Sequence, residues 1–219
     1  MKADLMRSYD YNFVDLLKVD LPELNPSFLW QKLDSFRNDQ RGERLKRFLA
    51  RKYKTTLSTD IVGDGFYVSG EFAMDEERVK LFVSRAEKMP DKDWDNFKFE
   101  LIITLMHEFI HHMQWIYDED EFEFVLLHKE SKNESVQEDR DYYAGWSEIQ
   151  AYAHCILMEM WARNSNKPAS EMLRAKRVGY YSPTLKHIKS KFDGFDYPLR
   201  YLYREILRWE QRYQRLNIS

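Results

Sequence analysis

Trp94-Asp95-Asn96-Phe97-Lys98-Phe99-Glu100-Leu101-Ile102-Ile103-Thr104-Leu105-Met106-His107-Glu108-Phe109-Ile110-His111 is the stretch on which the reading of this chain turns. After Pro90-Asp91, the side chains of Trp94, Phe97, Leu101, Leu105 and Phe109 recur at helical spacing. The apolar run lasts to about Ile116, where Asp118-Glu119-Asp120-Glu121 ends it. So wide an apolar face predicts a helix buried on most sides. Inside it lies the pattern H-E-x-x-H. Residues four apart are one turn apart on the same face, so the imidazoles of His107 and His111 can reach one metal ion. Glu108 is displaced about 100° round the helix, where its carboxylate reaches a water at the ion rather than the ion itself. The competing reading is a core helix that happens to hold two histidines. A buried face seldom spends a His, a Glu and a His together without a metal or partners to satisfy them.

A catalytic zinc needs three protein ligands and one open position. The three-histidine extension of the pattern would require a glycine at 114 and a histidine at 117, where this chain has Gln114 and Tyr117. A later helix supplies another candidate in Trp146-Ser147-Glu148-Ile149-Gln150-Ala151-Tyr152-Ala153, and Glu148 is the expected third ligand. On that helix Glu148 shares a face with Ala151, Tyr152 and Cys155. The small Ala and Cys side chains favour close packing. His154 is a ligand only if Glu148 is not.

Outward from these two helices the pattern is simpler. Asn25-Pro26-Ser27 opens a helix carrying Phe28, Leu29, Leu33 and Phe36, and Leu45, Phe48 and Leu49 continue after Arg41-Gly42. Between Thr55 and about Arg85 the character turns to strand. Asp60–Ser69 is β-branched and aromatic around two glycines, and Val79, Leu81 and Val83 alternate with Lys80, Phe82 and Ser84. Two or three short strands are expected, with a turn near Asp75-Glu76-Glu77 and one strand at an edge. A helix from about Ala144 to Arg163 follows, then two or three more from Glu171 to Leu216, separated by Ser182-Pro183 and Gly194–Pro198. The expected fold is α+β and mostly helical. It is read as one domain over 1–219: a helical part at 1–54, a core at 55–163 and a helical part at 164–219.

Composition agrees. The 219 residues are 43% hydrophobic and 16% aromatic, with 7 Gly and 6 Pro, a globular rather than a disordered profile. A formal charge of −3 gives no reason to expect nucleic acid or an anionic membrane as partner. One cysteine, Cys155, fits a reducing compartment. Met1–Leu5 lacks the start of a signal peptide, and Leu101–Met106 is too short to span a bilayer, so a cytoplasmic location is the default.

An H-E-x-x-H helix followed by a glutamate on a second helix resembles the gluzincin branch of the zincin metallopeptidases. The resemblance covers about residues 55–163. Glu148-Ile149-Gln150-Ala151-Tyr152-Ala153 with Leu157-Met158 is also loosely similar to the glutamate helix of small intracellular and phage-encoded zincins, including the ImmA/IrrE-like group. The resemblance implies that His107, His111 and Glu148 bind Zn²⁺, that Glu108 is the general base, and that a peptide or protein substrate lies extended along the sheet edge. One departure is informative. The thermolysin pattern has an aspartate one turn after the ligand glutamate, and this chain has Tyr152.

The remaining candidates carry less. His112, His128 and Cys155 read as packing or surface residues. Hydrolysis needs a donor for the developing oxyanion, and Tyr152, Tyr180, Tyr181 and His187 are all available. The acidic residues at 118–123 and 130–141 read as a solvated connection. The expected activity is zinc-dependent peptide hydrolysis. The alternatives are a non-catalytic interaction or regulatory protein with a structural or dormant zinc, and an all-helical binding protein in which the motif is accidental.

Overall fold

The computed structural model describes residues 26–36, 41–53, 55–58, 68–73, 76, 78–83, 91–117, 136–164, 166–192 and 196–215. The architecture is α+β and mostly helical, as expected, with nine helices and a three-stranded sheet among the described residues. The chain divides into two compact units, residues 1–113 and 114–219. No described helix is long and apolar enough to cross a membrane.

The first unit contains α1 (Pro26–Asp34), α2 (Arg41–Tyr53), β1 (Thr56–Ser58), β2 (Val68–Ala73), β3 (Arg78–Val83) and all but the last turn of α3 (Asp91–Tyr117). Strand β3 is central, parallel to β1 and antiparallel to β2, with Gly70 opposite Leu81 and Glu71 opposite Lys80. The alternation in β3 is resolved as expected: Val79, Leu81 and Val83 are buried, whereas Arg78, Lys80 and Phe82 are not. The buried row joins Leu29 and Leu33 of α1, Leu45 and Leu49 of α2, and Phe97, Leu101 and Leu105 of α3 in one core. Each such side chain contributes about 1.5–3 kcal/mol on burial, so this core sets the rotation of α3 about its axis. A run of edge-to-face rings reinforces it. Phe36 meets Phe48 at 5.9 Å, Phe48 meets Tyr53 at 5.6 Å, and Tyr53 meets Phe109 at 5.7 Å, within the motif itself.

In the second unit are the last turn of α3 and α4 (Val136–Ala144), α5 (Trp146–Asn164), α6 (Ala169–Arg174), α7 (Val178–Tyr181), α8 (Pro183–Lys189) and α9 (Tyr197–Arg215). Helix α5 is buried on most faces. Helix α9 is amphipathic: Leu199, Leu202, Ile206, Trp209 and Tyr213, spaced by three and four, are buried, while Arg200, Arg204, Gln211 and Arg215 face water. It packs along α5, where Trp209 Nε1 donates to the Gln150 carbonyl at 3.1 Å and His154 Nε2 lies 2.6 Å from the Tyr213 hydroxyl. Ser182 caps α8, its Oγ accepting from Leu185 N at 2.9 Å, with Pro183 in the first turn. The Glu159 carboxylate accepts from Ser182 Oγ and, at 2.5 Å, from Thr184 Oγ1. Burial pushes its carboxyl above the usual range.

Two elements differ from expectation. Helix α4, which takes in the end of the acidic stretch 130–141, was not foreseen, and among the described residues the C-terminal part holds four helices rather than two or three. The additional break follows Arg174, where Ala175 turns extended (φ −64°, ψ 137°). Alanine is the best helix former, and no glycine or proline marks the place, so propensity gave no signal. His128, the acidic stretch 118–123 and most of the expected strand 60–69 lie outside the described residues.

Lys98, on α3, is 1% exposed. Its ammonium is paired with Asp34 and, at 2.9 Å, with Asp95, and lies 4.0 Å from the centre of the Trp30 ring. Removing both carboxylates leaves a buried charge without a counter-ion, which costs far more than never having buried one. The double substitution Asp34→Ala/Asp95→Ala is expected to lower the unfolding free energy by about 2–3 kcal/mol, and Lys98→Met by under about 1 kcal/mol. Urea denaturation of the two variants measures the difference.

Candidate metal centre

His107 and His111 are both buried, with ring planes nearly perpendicular and Nε2 atoms 3.0 Å apart. Two nitrogens bound to one tetrahedral zinc at about 2.05 Å are about 3.3 Å apart, so the pair fits a common ion. Helix α3 brings them together by its pitch alone. His112, next in the chain, points elsewhere and stacks on Phe72, ring centres 4.8 Å apart, the packing role expected for it.

Glu108 is buried beside β2. A Cβ built on Gly70 would lie 2.6 Å from Glu108 Cγ, 3.1 Å from Glu108 Oε1 and 3.0 Å from Thr104 Cγ2. No side chain fits there. The glycine lets the β2 backbone run directly against the glutamate, and β2 is an edge of the sheet among the described residues. The sequence reading missed Gly70, although an isolated glycine inside a strand pattern is the usual mark of close backbone approach.

Helix α5 carries Glu148 in its first turn, 3% exposed. Two residues that sequence reasoning did not single out define its surroundings. Gln114, buried in the last turn of α3, donates through Nε2 to the Ser147 carbonyl and to Gln150 Oε1, both at 3.1 Å. These acceptors bracket Glu148, so the amide at 114 ties the start of α5 to the end of the motif helix. Where the three-histidine pattern would put a glycine, this chain uses a long donor. The second residue is Tyr142. Helices α4 and α5 meet at Gly145, whose N–H donates to the Tyr142 carbonyl at 3.1 Å and whose carbonyl accepts from Ile149 N at 2.9 Å. That bend returns Tyr142 to Glu148, with which its phenol is hydrogen-bonded, and leaves its hydroxyl 3.4 Å from that of Tyr152. Burial, and then the Glu148 carboxylate, push the Tyr142 phenol far above its usual range. Burial is also the main cause for Tyr152, opposed by its bond to Tyr142. Both phenols are donors at neutral pH. Tyr142 falls between the stretch 130–141 read as connection and the helix expected from about Ala144, and only the unforeseen α4 could have revealed it.

The ligand atoms of His107, His111 and Glu148 all lie within 4.8 Å of one another, and all three residues are buried. Two imidazoles and a carboxylate at that separation can hold a metal ion. Of the other candidates, His154 is fully buried, its Nε2 beside Tyr213 and its ring 5.0 Å from Trp209, which is a packing role. Cys155 is buried and forms no disulfide. Tyr152 lies beside Glu148, whereas Tyr180 is 67% exposed and packs edge-on to Tyr181. His187 is exposed, with its ring 5.7 Å from Tyr143.

In comparison with known proteins, no family model, no curated protein and no solved structure matches the chain.

One divalent ion per chain is expected in the purified protein, measured by plasma mass spectrometry, and its loss in His111→Ala. Gln114→Ala is expected to keep the fold but weaken metal binding by about 10–100-fold, the usual effect of removing a residue that orients a ligand. Competition with a chromogenic chelator measures that affinity.

Proposed function

We propose that the protein is a zinc-dependent metallopeptidase of the gluzincin type, hydrolysing a peptide bond with water as nucleophile. One observation carries this reading: a buried two-histidine, one-glutamate cluster has a second buried glutamate, Glu108, beside it and against an edge strand. A carboxylate next to the ligand pair on the same helix but outside the ligand set stands where the general base of an H-E-x-x-H zinc site stands. The donor set, two imidazoles and one carboxylate, suits Zn²⁺ with one position left open. Zinc bound there would polarise the scissile carbonyl and lower the pKa of water to about 7.

The chain's own groups supply the rest. Glu108 takes the proton of the attacking water and delivers it to the leaving nitrogen. Its carboxylate is restrained on one side by the β2 backbone at Gly70. The edge of β2 offers backbone donors and acceptors to an extended peptide, the geometry by which a strand is added to a sheet. Tyr142 and Tyr152 stand as neutral donors beside Glu148 and are the candidates for stabilising the oxyanion. A buried lone thiol is compatible with a reducing cytoplasm, where we place the protein.

Glu108→Gln is expected to keep one zinc per chain and to lose about 10²–10⁴-fold in kcat on a fluorogenic peptide library. Unchanged turnover in that variant would refute the mechanism. A zinc-loaded wild-type chain that cleaves nothing, and that unfolds when zinc is chelated, would point instead to a structural metal on an interaction protein.

A further inference from the structure

Residues 174–191 hold six Lys or Arg and no Asp or Glu, in a chain whose formal charge is −3. A local basic excess of this kind attracts negatively charged groups. The fold concentrates it further. Helices α7 and α8 and the turn before them enclose an open cleft of about 530 Å³, lined by Lys176, Arg177, Lys186 and Lys189 together with Gly179 and Tyr180. None of these four cations forms an ion pair among the described residues, in contrast to Lys98, Lys167 and Arg208, each of which has a carboxylate partner.

Two details give the cleft a defined shape. A Cβ at Gly179 would lie 2.8 Å from Lys186 Cδ and 3.1 Å from its Cβ and Cγ. The Lys186 stem therefore lies flat across the glycine, which restricts where its ammonium can sit. Tyr180 is 67% exposed, and its ring is set at 85° to that of Tyr181 with centres 5.2 Å apart. An exposed ring held by a neighbour at the wall of a cationic cleft is a stacking surface for a planar group.

We propose that this cleft binds a nucleoside di- or triphosphate. Four cations around one cleft favour a ligand with more than one phosphate, the volume of this open cleft is in the range of small-ligand sites, and Tyr180 provides the face for its base. The proposal stands on residues of the second unit and does not depend on the peptidase reading.

The test is isothermal titration of the full chain with ATP in excess Mg²⁺, with tripolyphosphate and adenosine titrated separately. ATP is expected to bind, with affinity falling about tenfold in Lys186→Gln/Lys189→Gln and about fivefold in Tyr180→Ala. Adenosine alone is expected to bind too weakly to detect. The substituted side chains reach the surface, and an unchanged circular dichroism spectrum confirms that the variants fold. ATP binding retained in Glu148→Gln separates this cleft from the metal centre. No ATP binding at about 5 mM overturns the proposal, as does binding unaffected by the lysine substitutions. Equal binding of tripolyphosphate and ATP, with no effect of Tyr180→Ala, overturns the nucleoside assignment. Binding of a DNA oligonucleotide or anionic vesicles that ATP does not displace overturns it in favour of a macromolecular surface.

Discussion

Helix α3 must bury Lys98, His107, Glu108, His111 and Gln114 alongside Phe97, Leu101, Leu105 and Ile110. Each polar group costs on the order of 1–3 kcal/mol when buried without a partner, and more when charged. The helix can exist in this setting only if each of those groups is answered from outside it. Lys98 is answered by two carboxylates and a Trp30 ring, and Gln114 by the start of α5. The two histidines, together with Glu148, form a buried group that can hold a metal ion.

The answers all act on the placement of one face of the helix. The apolar core and the ring sequence from Phe36 to Phe109 fix the rotation of α3. The glycine at 70 lets an edge strand pass against Glu108, and the amide at 114 fixes the turn of α5 that carries Glu148. The tyrosines at 142 and 152 then line that carboxylate. In the thermolysin pattern an aspartate does the supporting work. Here two phenols stand beside Glu148, and the Gln114 amide holds the turn of α5 that carries it.

Legibility followed the range of the interaction. Helix α3 was readable because its apolar periodicity is long and strong, and the alternation of Val79, Leu81 and Val83 was readable because a half-buried strand repeats every two residues. Helix α4 was not. It is short and polar, and acidic residues precede it, so it has neither a wide apolar face nor a clear start signal. The break at Ala175 was equally silent, being imposed on a residue that favours helix. The boundary between the two compact units, after residue 113, falls within helix α3, where no linker composition could mark it.

The sequence by itself determined the local half of the site. Two histidines four apart on a helix must share a face, and the glutamate between them must lie about 100° away, whatever surrounds them. It also pointed to Glu148, because a catalytic metal set needs a third donor and few residues were available. Tertiary structure alone decided what surrounds Glu108 and Glu148. Gln114, Tyr142, Tyr152 and Gly70 matter through contacts between separate elements, and those depend on how helices bend and pack rather than on spacing along the chain. His154 illustrates the same point in reverse. Its residue type suits a metal, but the packing of α9 gives it Tyr213 and Trp209 instead.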